Sequence, residues 1–393
     1  MKNYKGIKIE IKPTAGQIEK INRTIGTGRF LYNFYIAYNK EIYEKEKRFV
    51  TGFEFSKYIN NIFIKENPDK SWIKDVSSKS NKQAIMNSEK AFKRFFNKIS
   101  SFPKFKKKSH NNQKCYFFKN NKTDFEFYRH KIKIPTLKFV RLKEYGYIPK
   151  NTNIKSATIS KEGDRYFLSL ILEIKKEIEK NSIQKNLQTK EGIGIDLGIK
   201  DFAICSDGQV FKNINKTFKV RKIEKKLKRE QRKKSRKYLS CKKMEKNLYE
   251  CKNFQKQKLV IAKLFFKLNC IRNDYINKVV NMLTKTKLKC ITIEDLKVSN
   301  MMKNRHLSKA ISQQKFYEFR TKLLNKCKEK NIELRIVSTV YPSSKLCSNC
   351  GHKKQDLKLK DRIYKCCDCG LEIDRDYNAS LNLRNSTQYT ILT

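Results

Sequence analysis

The chain has 393 residues and a formal net charge of +53, from 91 lysine and arginine residues against 38 aspartate and glutamate residues. At roughly 150 residues per domain this length accommodates two or three domains, and a hydrophobic content of 38% excludes wholesale disorder. A chain that repels itself this strongly needs a polyanionic partner, and basic residues interspersed with Tyr and Phe favour nucleic acid over an anionic membrane surface.

Neither a membrane span nor a targeting segment is predicted. The longest apolar stretch, residues 259–266, is short and is interrupted by Lys263. The first residues lead into a strand pattern rather than into the apolar core of a signal peptide. We therefore expect a cytoplasmic protein, nucleoid-associated in a prokaryotic host, with no membrane partner.

The first half of the chain combines strands with helices. Residues 6–12 alternate with period two and predict a strand, and helical periodicity then covers residues 16–46. Further helices are predicted at residues 54–64 and 81–96, before the segment 101–108, where aromatic rings alternate with cations. Four later strands are predicted at residues 125–128, 131–134, 156–160 and 166–172. This order indicates a β-rich domain, residues 1–14 and 110–186, interrupted by a helical insertion, residues 15–109.

A polar linker at residues 180–190 precedes the second half. The string Gly192-Ile-Gly-Ile-Asp-Leu-Gly198 predicts a buried strand, and residues 216–237 predict a strongly basic helix with Val220, Ile223 and Leu227 on one stripe. A second long helix follows at residues 259–283. Further elements are predicted in the remainder of the chain: strands at residues 288–293 and 334–337 and a short helix at 376–383.

Two Cys-x-x-Cys knuckles form the strongest local signal. Cys347 and Cys350 make the first, and Cys366 and Cys369 make the second. Such pairs with a short spacer can surround a zinc ion with four thiolates, and a glycine follows each knuckle where a tight turn needs a positive φ. Disulfides are the alternative, but scattered single cysteines elsewhere favour a reducing compartment. The spacing predicts a structural zinc site, in which Cys367 points away.

Acidic residues are scarce in this chain, so those at the ends of predicted elements are conspicuous. Asp196 and Glu294 end buried strands, and Asp374-Arg-Asp376 opens the helix after the cysteines. Three carboxylates from distant segments can bind two Mg²⁺ ions for in-line phosphodiester hydrolysis. Each acid alone is weak evidence, because an Asp at a strand end also caps turns. The order of elements predicts a ribonuclease-H-like sheet with its carboxylates at one edge.

Motifs along nearly the whole chain resemble those of the TnpB (OrfB) family, relatives of the type V CRISPR effector nucleases. Besides the knuckles, the resemblance is carried by Arg29-Phe-Leu-Tyr-Asn33, Phe102-Pro-Lys-Phe105, Gly194-Ile-Asp-Leu-Gly198, Arg272-Asn-Asp-Tyr275, Ile293-Glu-Asp-Leu296, Tyr341-Pro-Ser-Ser-Lys345 and Asp374-Arg-Asp-Tyr-Asn-Ala379. One departure concerns the helix after the second acidic motif, where Phe316 stands in place of a frequent Trp.

The resemblance implies a fold, a site and partners. It implies a RuvC-like nuclease domain, residues 187–340 and 371–393, with an inserted zinc ribbon, residues 341–370. The β-rich N-terminal domain would be a barrel-like wedge domain, and its helical insertion the recognition part. Asp196, Glu294 and Asp376 would be the catalytic, Mg²⁺-binding carboxylates, because the functional acid of the family precedes the x-Asn-Ala step; Asp374 would cap the helix.

By the same resemblance the protein would be an RNA-guided DNA endonuclease encoded by a transposable element. Its partners would be a guide RNA transcribed from the end of the element and target DNA, with base pairing supplying sequence specificity. We expect a monomer.

Three other functions compete with this hypothesis. A transposase is chemically possible, although no histidine pair forms the His-hydrophobe-His motif that tyrosine transposition needs. A DNA-binding repressor that has lost cleavage is disfavoured because all three acids are present. Gly-Ile-Asp-Leu-Gly also opens sugar kinases and actin-like ATPases, but no later glycine-rich phosphate loop is found and the charge is wrong for that class.

Overall fold

A computed structural model of the protein describes residues 3–108, 114–118, 124–150, 152–174, 191–286, 288–358 and 360–392. The chain divides into two compact units, residues 1–182 and 183–393. The polar linker predicted at residues 180–190 lies outside the described residues. Among the helices that are described, none is long and apolar enough to cross a membrane.

The first unit is built on a six-stranded antiparallel sheet with the order β2-β5-β6-β1-β4-β3. Its strands are β1 (Asn3–Lys12), β2 (Lys114–Phe118), β3 (Lys131–Ile134), β4 (Lys138–Leu142), β5 (Asn153–Glu162) and β6 (Arg165–Ile174). Alternate residues of these strands face a core that includes Ile9, Ile132 and Leu168, as the period-two patterns predict.

Between β1 and β2 the chain forms helices. They are α1 (Ala15–Glu46), α2 (Gly52–Tyr58), α3 (Ile64–Glu66) and α4 (Ser78–Phe96). Helix α1 begins with a capping box, in which the Thr14 side chain accepts from the Gln17 N–H and the Gln17 side chain accepts from the Thr14 N–H. The helices share an aromatic-rich core, in which the ring of Tyr35 lies 5.1 Å from that of Phe55.

Two predictions for the first unit need correction. The strand predicted at residues 125–128 is reduced to an isolated bridge from Phe127 to Ile132. It is flanked by only two backbone hydrogen bonds, from the Tyr128 N–H to the Lys131 carbonyl (2.8 Å) and from the Lys133 N–H to the Glu126 carbonyl (2.7 Å). The helix predicted at residues 54–64 begins at Gly52 and is not uniform, since Ile59–Phe63 is a π-helical turn between α2 and α3.

The second unit is built on a mixed six-stranded sheet with the order β14-β11-β10-β7-β8-β9. Its strands are β7 (Ile193–Leu197), β8 (Asp201–Cys205), β9 (Val210–Lys212), β10 (Cys290–Glu294), β11 (Glu333–Val337) and β14 (Thr390–Ile391). Strands β7, β10 and β11 are parallel, and the other three run antiparallel to their neighbours. A separate antiparallel pair consists of β12 (Ile363–Lys365) and β13 (Glu372–Asp374).

Helices of the second unit occupy both faces of this sheet. They are α5 (Phe218–Lys243), α6 (Lys252–Leu283), α7 (Val298–Met301), α8 (Ser308–Gln314), α9 (Phe316–Lys330) and α10 (Arg375–Asn385). Side chains of α6 and α9, among them Ile276 and Phe319, share one core with Ile195 and Ile293 of the sheet. Successive strand residues point to opposite faces, so Gly194 and Asp196 face away from that core.

Candidate functional site

Asp196 and Glu294 lie side by side on neighbouring strands. The register of β7 with β10 pairs Ile195 with Ile293, and each strand then continues to its carboxylate. Parallel neighbours are about 4.8 Å apart, and both acids point to the face opposite the core shared with α6 and α9. The parallel pairing thus brings together two carboxylates that are almost a hundred positions apart in the sequence.

Helix α10 covers the same face, and Gly194 is what lets it approach. A Cβ at Gly194 would lie 2.1 Å from the Ser380 carbonyl oxygen and 2.4 Å from the Arg384 backbone nitrogen, both atoms of the α10 backbone. Any side chain at this position would therefore push α10 off the sheet. Because α10 starts at Arg375, its close packing on β7 brings its N-terminal turn to the strand end that carries Asp196.

The two acids at the start of α10 have different environments. Asp374 is the N-cap, and its carboxylate accepts hydrogen bonds from the N–H groups of Asp376 and Tyr377, each at 3.0 Å. Asp376 is half-buried, with one carboxylate oxygen 3.1 Å from the Arg375 guanidinium and the other 3.5 Å from that of Arg362. The capping expected of Asp374 is confirmed. Asp376 is the acid of this pair whose carboxylate is not used to cap the helix.

The electrostatics of Asp196 reflect this convergence. Burial, with the added repulsion of Asp376 and Glu294, raises the pKa of the Asp196 carboxyl to about 7, and Arg375 offsets only part of this effect. Burial also raises the pKa of Glu294, with a contribution from Asp295. A buried Asp196 carboxyl whose ionisation is disfavoured in this way is an environment that a bound cation would relieve.

The four cysteines Cys347, Cys350, Cys366 and Cys369 form a compact cluster, as the spacing predicts. Their sulfur atoms all lie within 4.8 Å of one another, and the Cys347–Cys369 and Cys350–Cys366 separations are 3.5 Å. Among the described residues no other group of three or more His, Cys, Asp or Glu side chains brings its ligand atoms close enough to hold a metal ion in this way, so the carboxylates converge more loosely.

The backbone around the cysteine cluster supports ligand binding. Gly351 and Gly370, which follow the two knuckles, have φ of 76° and 71°, as tight turns require. A hydrogen bond from the Leu371 N–H lowers the pKa of the Cys369 thiol to about 6, which favours its thiolate form, whereas burial raises the pKa of the Cys347 thiol. Cys367 is exposed and stands apart from the cluster, with its sulfur 3.3 Å from His352 Nε2.

Two buried asparagines on α10, which the sequence interpretation missed, connect the cysteine segment to the carboxylates. Asn378 accepts from the Ser348 N–H at 3.0 Å and donates to the Leu346 carbonyl. Asn382 donates to the carbonyls of Ser343 and Leu346 at 2.7 and 2.8 Å. The signals in the sequence are the place of Asn378 in the motif Asp374–Ala379 and the spacing of four residues, which places both asparagines on one face of a helix.

Helix α5 has a basic outer face, as predicted. Its acids face inward: Glu224 pairs with Arg272 at 2.9 Å, and Glu230 accepts from Gln257 at 2.8 Å. With Lys267 of α6, the exposed side forms a groove, here called the basic groove. The groove is lined by Phe218, Lys219, Lys222, Ile223, Lys225, Lys226, Arg229, Leu264 and Lys267. Phe218, which is 81% exposed, adds an aromatic side chain to this groove.

Three family models match the chain. Residues 1–48 match the helix-turn-helix domain HTH_OrfB_IS605, residues 172–305 the probable transposase family OrfB_IS605, and residues 316–383 the Cas12f1-like TNB domain. In the structure the described part of residues 1–48 is strand β1 followed by the single long helix α1, rather than two helices joined by a turn.

Curated relatives align with nearly the full chain. A protein of Escherichia coli (strain K12) named "Putative RNA-guided DNA endonuclease InsQ" is 28% identical, over 98% of this chain and 92% of its own. A "Putative RNA-guided DNA endonuclease" of Streptomyces pristinaespiralis is 27% identical, over 96% of this chain and 88% of its own. The CRISPR-associated endodeoxyribonuclease Cas12f1 of Sulfoacidibacillus thermotolerans is 29% identical over 28% of this chain and 25% of its own.

Among solved structures, a cryo-EM structure of a Cas12f1–sgRNA–target DNA complex is similar to this chain. The TM-score is 0.58 at 14% identity, with 98% of this chain and 99% of that chain covered. The mixed α/β fold is therefore shared along the length of both chains.

Proposed function

We propose that this chain, which belongs to the TnpB (OrfB) family related to Cas12f, is an RNA-guided DNA endonuclease encoded by a transposable element. The observation that carries the proposal is the meeting of Asp196, Glu294 and the α10 N-terminus on one face of the mixed sheet. The printed names of the two full-length relatives support the same activity.

The proposed domain organisation follows from the elements. Residues 187–340 and 371–393 would be a RuvC-like nuclease domain of the ribonuclease-H type, which the parallel strands β7, β10 and β11 flanked by antiparallel β8 and β9 support. Residues 341–370 would be the inserted zinc ribbon. In the first unit, residues 1–14 and 110–186 would form the wedge domain, and residues 15–109 the helical recognition insertion.

Asp196, Glu294 and Asp376 are the proposed catalytic residues, and their donor chemistry fits Mg²⁺. Three carboxylates supply the oxygen ligands that Mg²⁺ prefers, and their mutual repulsion needs a cation. When bound, Mg²⁺ ions would polarise the attacking water and stabilise the leaving oxygen. Arg375 and Arg362 hold the Asp376 carboxylate in place, and Gly194 keeps α10 against the strand that carries Asp196.

Zinc is the metal proposed for the cysteine cluster. Zn–S bonds of about 2.3 Å in a tetrahedron put sulfur atoms about 3.8 Å apart, close to the 3.5 Å separations measured here. Four thiolates leave no open position, so the site would be structural. Through Asn378 and Asn382, an ordered ribbon would also fix the helix that carries Asp376.

The proposed partners are a guide RNA and target DNA. The net charge of +53 suits a protein that binds two polyanions. The basic groove would bind nucleic-acid backbone, because its cations are exposed while the acids of α5 are paired on the inner side. Base pairing between guide and target would supply sequence specificity.

The test is to express the chain from its native locus, purify it and sequence the RNA that travels with it. The purified complex is then incubated with Mg²⁺ and with DNA that contains the sequence of the terminal segment of that RNA. The DNA next to this matched segment is randomised, so that any required flanking sequence is included. We expect a discrete RNA and cleavage of matched DNA only; scrambled DNA and the Asp196→Ala protein are the controls.

Two results would contradict the proposal. Equal cleavage of matched and scrambled DNA would show that the RNA does not guide cleavage. No enriched RNA together with retained DNA binding would favour a transposase or a repressor of the element, which metal-dependent assays on element ends would then distinguish.

A further inference from the structure

A small pocket in the first unit contains cations and no acid. It lies between α1, α4, strand β2 and the segment that follows α4, and Arg29, Lys106 and Lys114 line it together with Ser80 and Asn87. Its volume is about 60 Å³, whereas ordinary small-molecule sites occupy roughly 300–1,000 Å³. The pocket can therefore take a small charged group but not a nucleobase or a metabolite.

No carboxylate neutralises these cations within the described part of the chain. Arg29 and Lys106 are half-buried, yet neither they nor Lys114 forms an ion pair there. Lys79, on the same helix as Ser80, is the contrast, because its ammonium group pairs with Asp124. Removing a cation from water without a counter-charge is unfavourable, and here burial lowers the pKa of Lys106 to about 8.

The pocket is also held rigid. The Asn33 side chain accepts from the Lys106 N–H at 2.8 Å and donates to the Lys106 carbonyl at 3.0 Å, which fixes this residue to α1. The Lys106 ammonium lies 3.5 Å from the centroid of the Tyr32 ring. Helix α1 packs closely on α4 at Gly28, where a Cβ would lie 3.6 Å from that of Ala84. Cations ordered before binding lose little entropy when a ligand arrives.

We propose that this pocket binds one phosphodiester group of a nucleic-acid backbone through Arg29, Lys106 and Lys114. A guanidinium can hold two phosphate oxygens at once, and the two ammonium groups complete the neutralisation. Ser80 and Asn87 add polar groups at the same wall. The proposal rests on the proposed function in one respect, which is that RNA or DNA supplies the phosphate.

The experiment measures binding of the full-length chain, in EDTA and over a range of salt concentrations. The probes are the co-purified RNA, an RNA duplex and a DNA duplex of matched length. The variants are Arg29→Gln, Lys106→Gln and the double variant. Lys90→Gln is the matched control, because Lys90 is an exposed lysine of α4 that has no ion pair among the described residues and does not line this pocket.

We expect each pocket variant to weaken binding about tenfold and to reduce the slope of log affinity against log salt by about 0.9, the loss of one phosphate contact. The double variant should lose less than the product of the single losses, because both residues serve the same phosphate. Lys90→Gln should change affinity less than about twofold. A loss confined to the RNA probes assigns the phosphate to the guide, and one confined to the DNA probe assigns it to the target.

Stability separates a binding role from a structural one. Arg29→Gln removes a half-buried cation that has no ion pair among the described residues, so the melting temperature should stay unchanged or rise. Arg29→Lys keeps the charge but loses the two-oxygen contact, so it should preserve the salt slope of the wild type and lose part of the affinity. The proposed phosphate site is refuted if Arg29→Gln binds RNA and DNA as tightly as Lys90→Gln does. It is also refuted if Arg29→Gln loses binding and has a lowered melting temperature as well. If the wild-type chain binds neither RNA nor DNA, the proposed function fails instead.

Discussion

The second unit holds two clusters of ionisable side chains that differ in how complete they are. The four thiols come from one stretch of the chain, and their sulfur atoms lie within 4.8 Å of one another on two tight turns. The carboxylates of Asp196, Glu294 and Asp376 come from three distant segments and converge more loosely.

Under the proposed assignments, this difference separates a structural metal site from a catalytic one. Four thiolates would complete the coordination of a tetrahedral ion, so the free energy of metal binding would stabilise the folded state. The carboxylates instead repel one another, and the pKa of Asp196 is raised to about 7, an unfavourable arrangement that the fold maintains. Strain of this kind is typical of sites that hold a cation and a substrate. The predictions below separate the two clusters.

The largest effect is expected at the thiols. Replacing Cys347 and Cys350 together by Ser should abolish zinc binding, which contributes on the order of 10 kcal/mol in small zinc domains. The cysteine segment should then become protease-sensitive, and cleavage activity should fall because Asn378 and Asn382 lose their partners. Metal analysis and limited proteolysis measure this.

Cys367→Ser is the matched control for the thiols, since that sulfur lies in the same segment but outside the cluster. It should keep one zinc per chain. A Cys347/Cys350 double variant that still folds and binds zinc at full strength would refute the structural role.

At the carboxylates the fold should survive while the chemistry is lost. Asp196→Ala should reduce DNA cleavage at least about 1,000-fold, or about 4 kcal/mol, because the proposed metal site loses a central ligand. Binding of RNA and DNA should change little. Single-turnover cleavage and binding assays measure the two quantities separately, and unchanged cleavage would remove Asp196 from the active site.

The pH dependence of stability provides a third test. Asp196 ionises near pH 3.9 in the unfolded chain and near pH 7 in the metal-free fold. Between these pH values the folded chain holds one more proton on Asp196 than the unfolded chain does. The stability that Asp196 contributes is therefore fully present below about pH 4, and the free energy of unfolding falls as the pH rises through 7.

Asp196→Asn should therefore stabilise the metal-free protein, by at most about 4 kcal/mol, and more at pH 8 than at pH 5. Addition of Mg²⁺ should stabilise the wild type and not the variant. Urea unfolding at the two pH values measures this, and a difference between the proteins that does not change with pH would contradict the raised pKa.

Sequence patterns predicted most elements because they depend on local periodicity. The stripe Val220, Ile223 and Leu227 is buried in α5 as predicted, and the cysteine cluster follows from a spacing that constrains its own geometry. The strand predicted at residues 125–128 was wrong because its pairing with β3 is limited to one bridge, and the alternation of its side chains does not reveal how far the pairing extends.

Contacts over long sequence distances could not be predicted in this way. Gly194 marks a close approach, but only the structure identifies the α10 backbone as the approaching partner. The bonds of Asn378 and Asn382 to the cysteine segment, and the meeting of Arg29 with Lys106 in one pocket, join residues that are some 30 to 80 positions apart.

The smallest effect concerns the two acids at the start of α10. Asp374→Ala should cost about 1 kcal/mol of unfolding free energy, because the N–H groups of Asp376 and Tyr377 lose their acceptor. Asp374→Asn should cost almost nothing and keep cleavage, since Asn caps helices as well as Asp does. Asp376→Asn should instead lose cleavage at unchanged stability. If Asp374→Asn were the inactive variant, Asp374 would be the metal-binding acid. Asp376 would then serve only the helix.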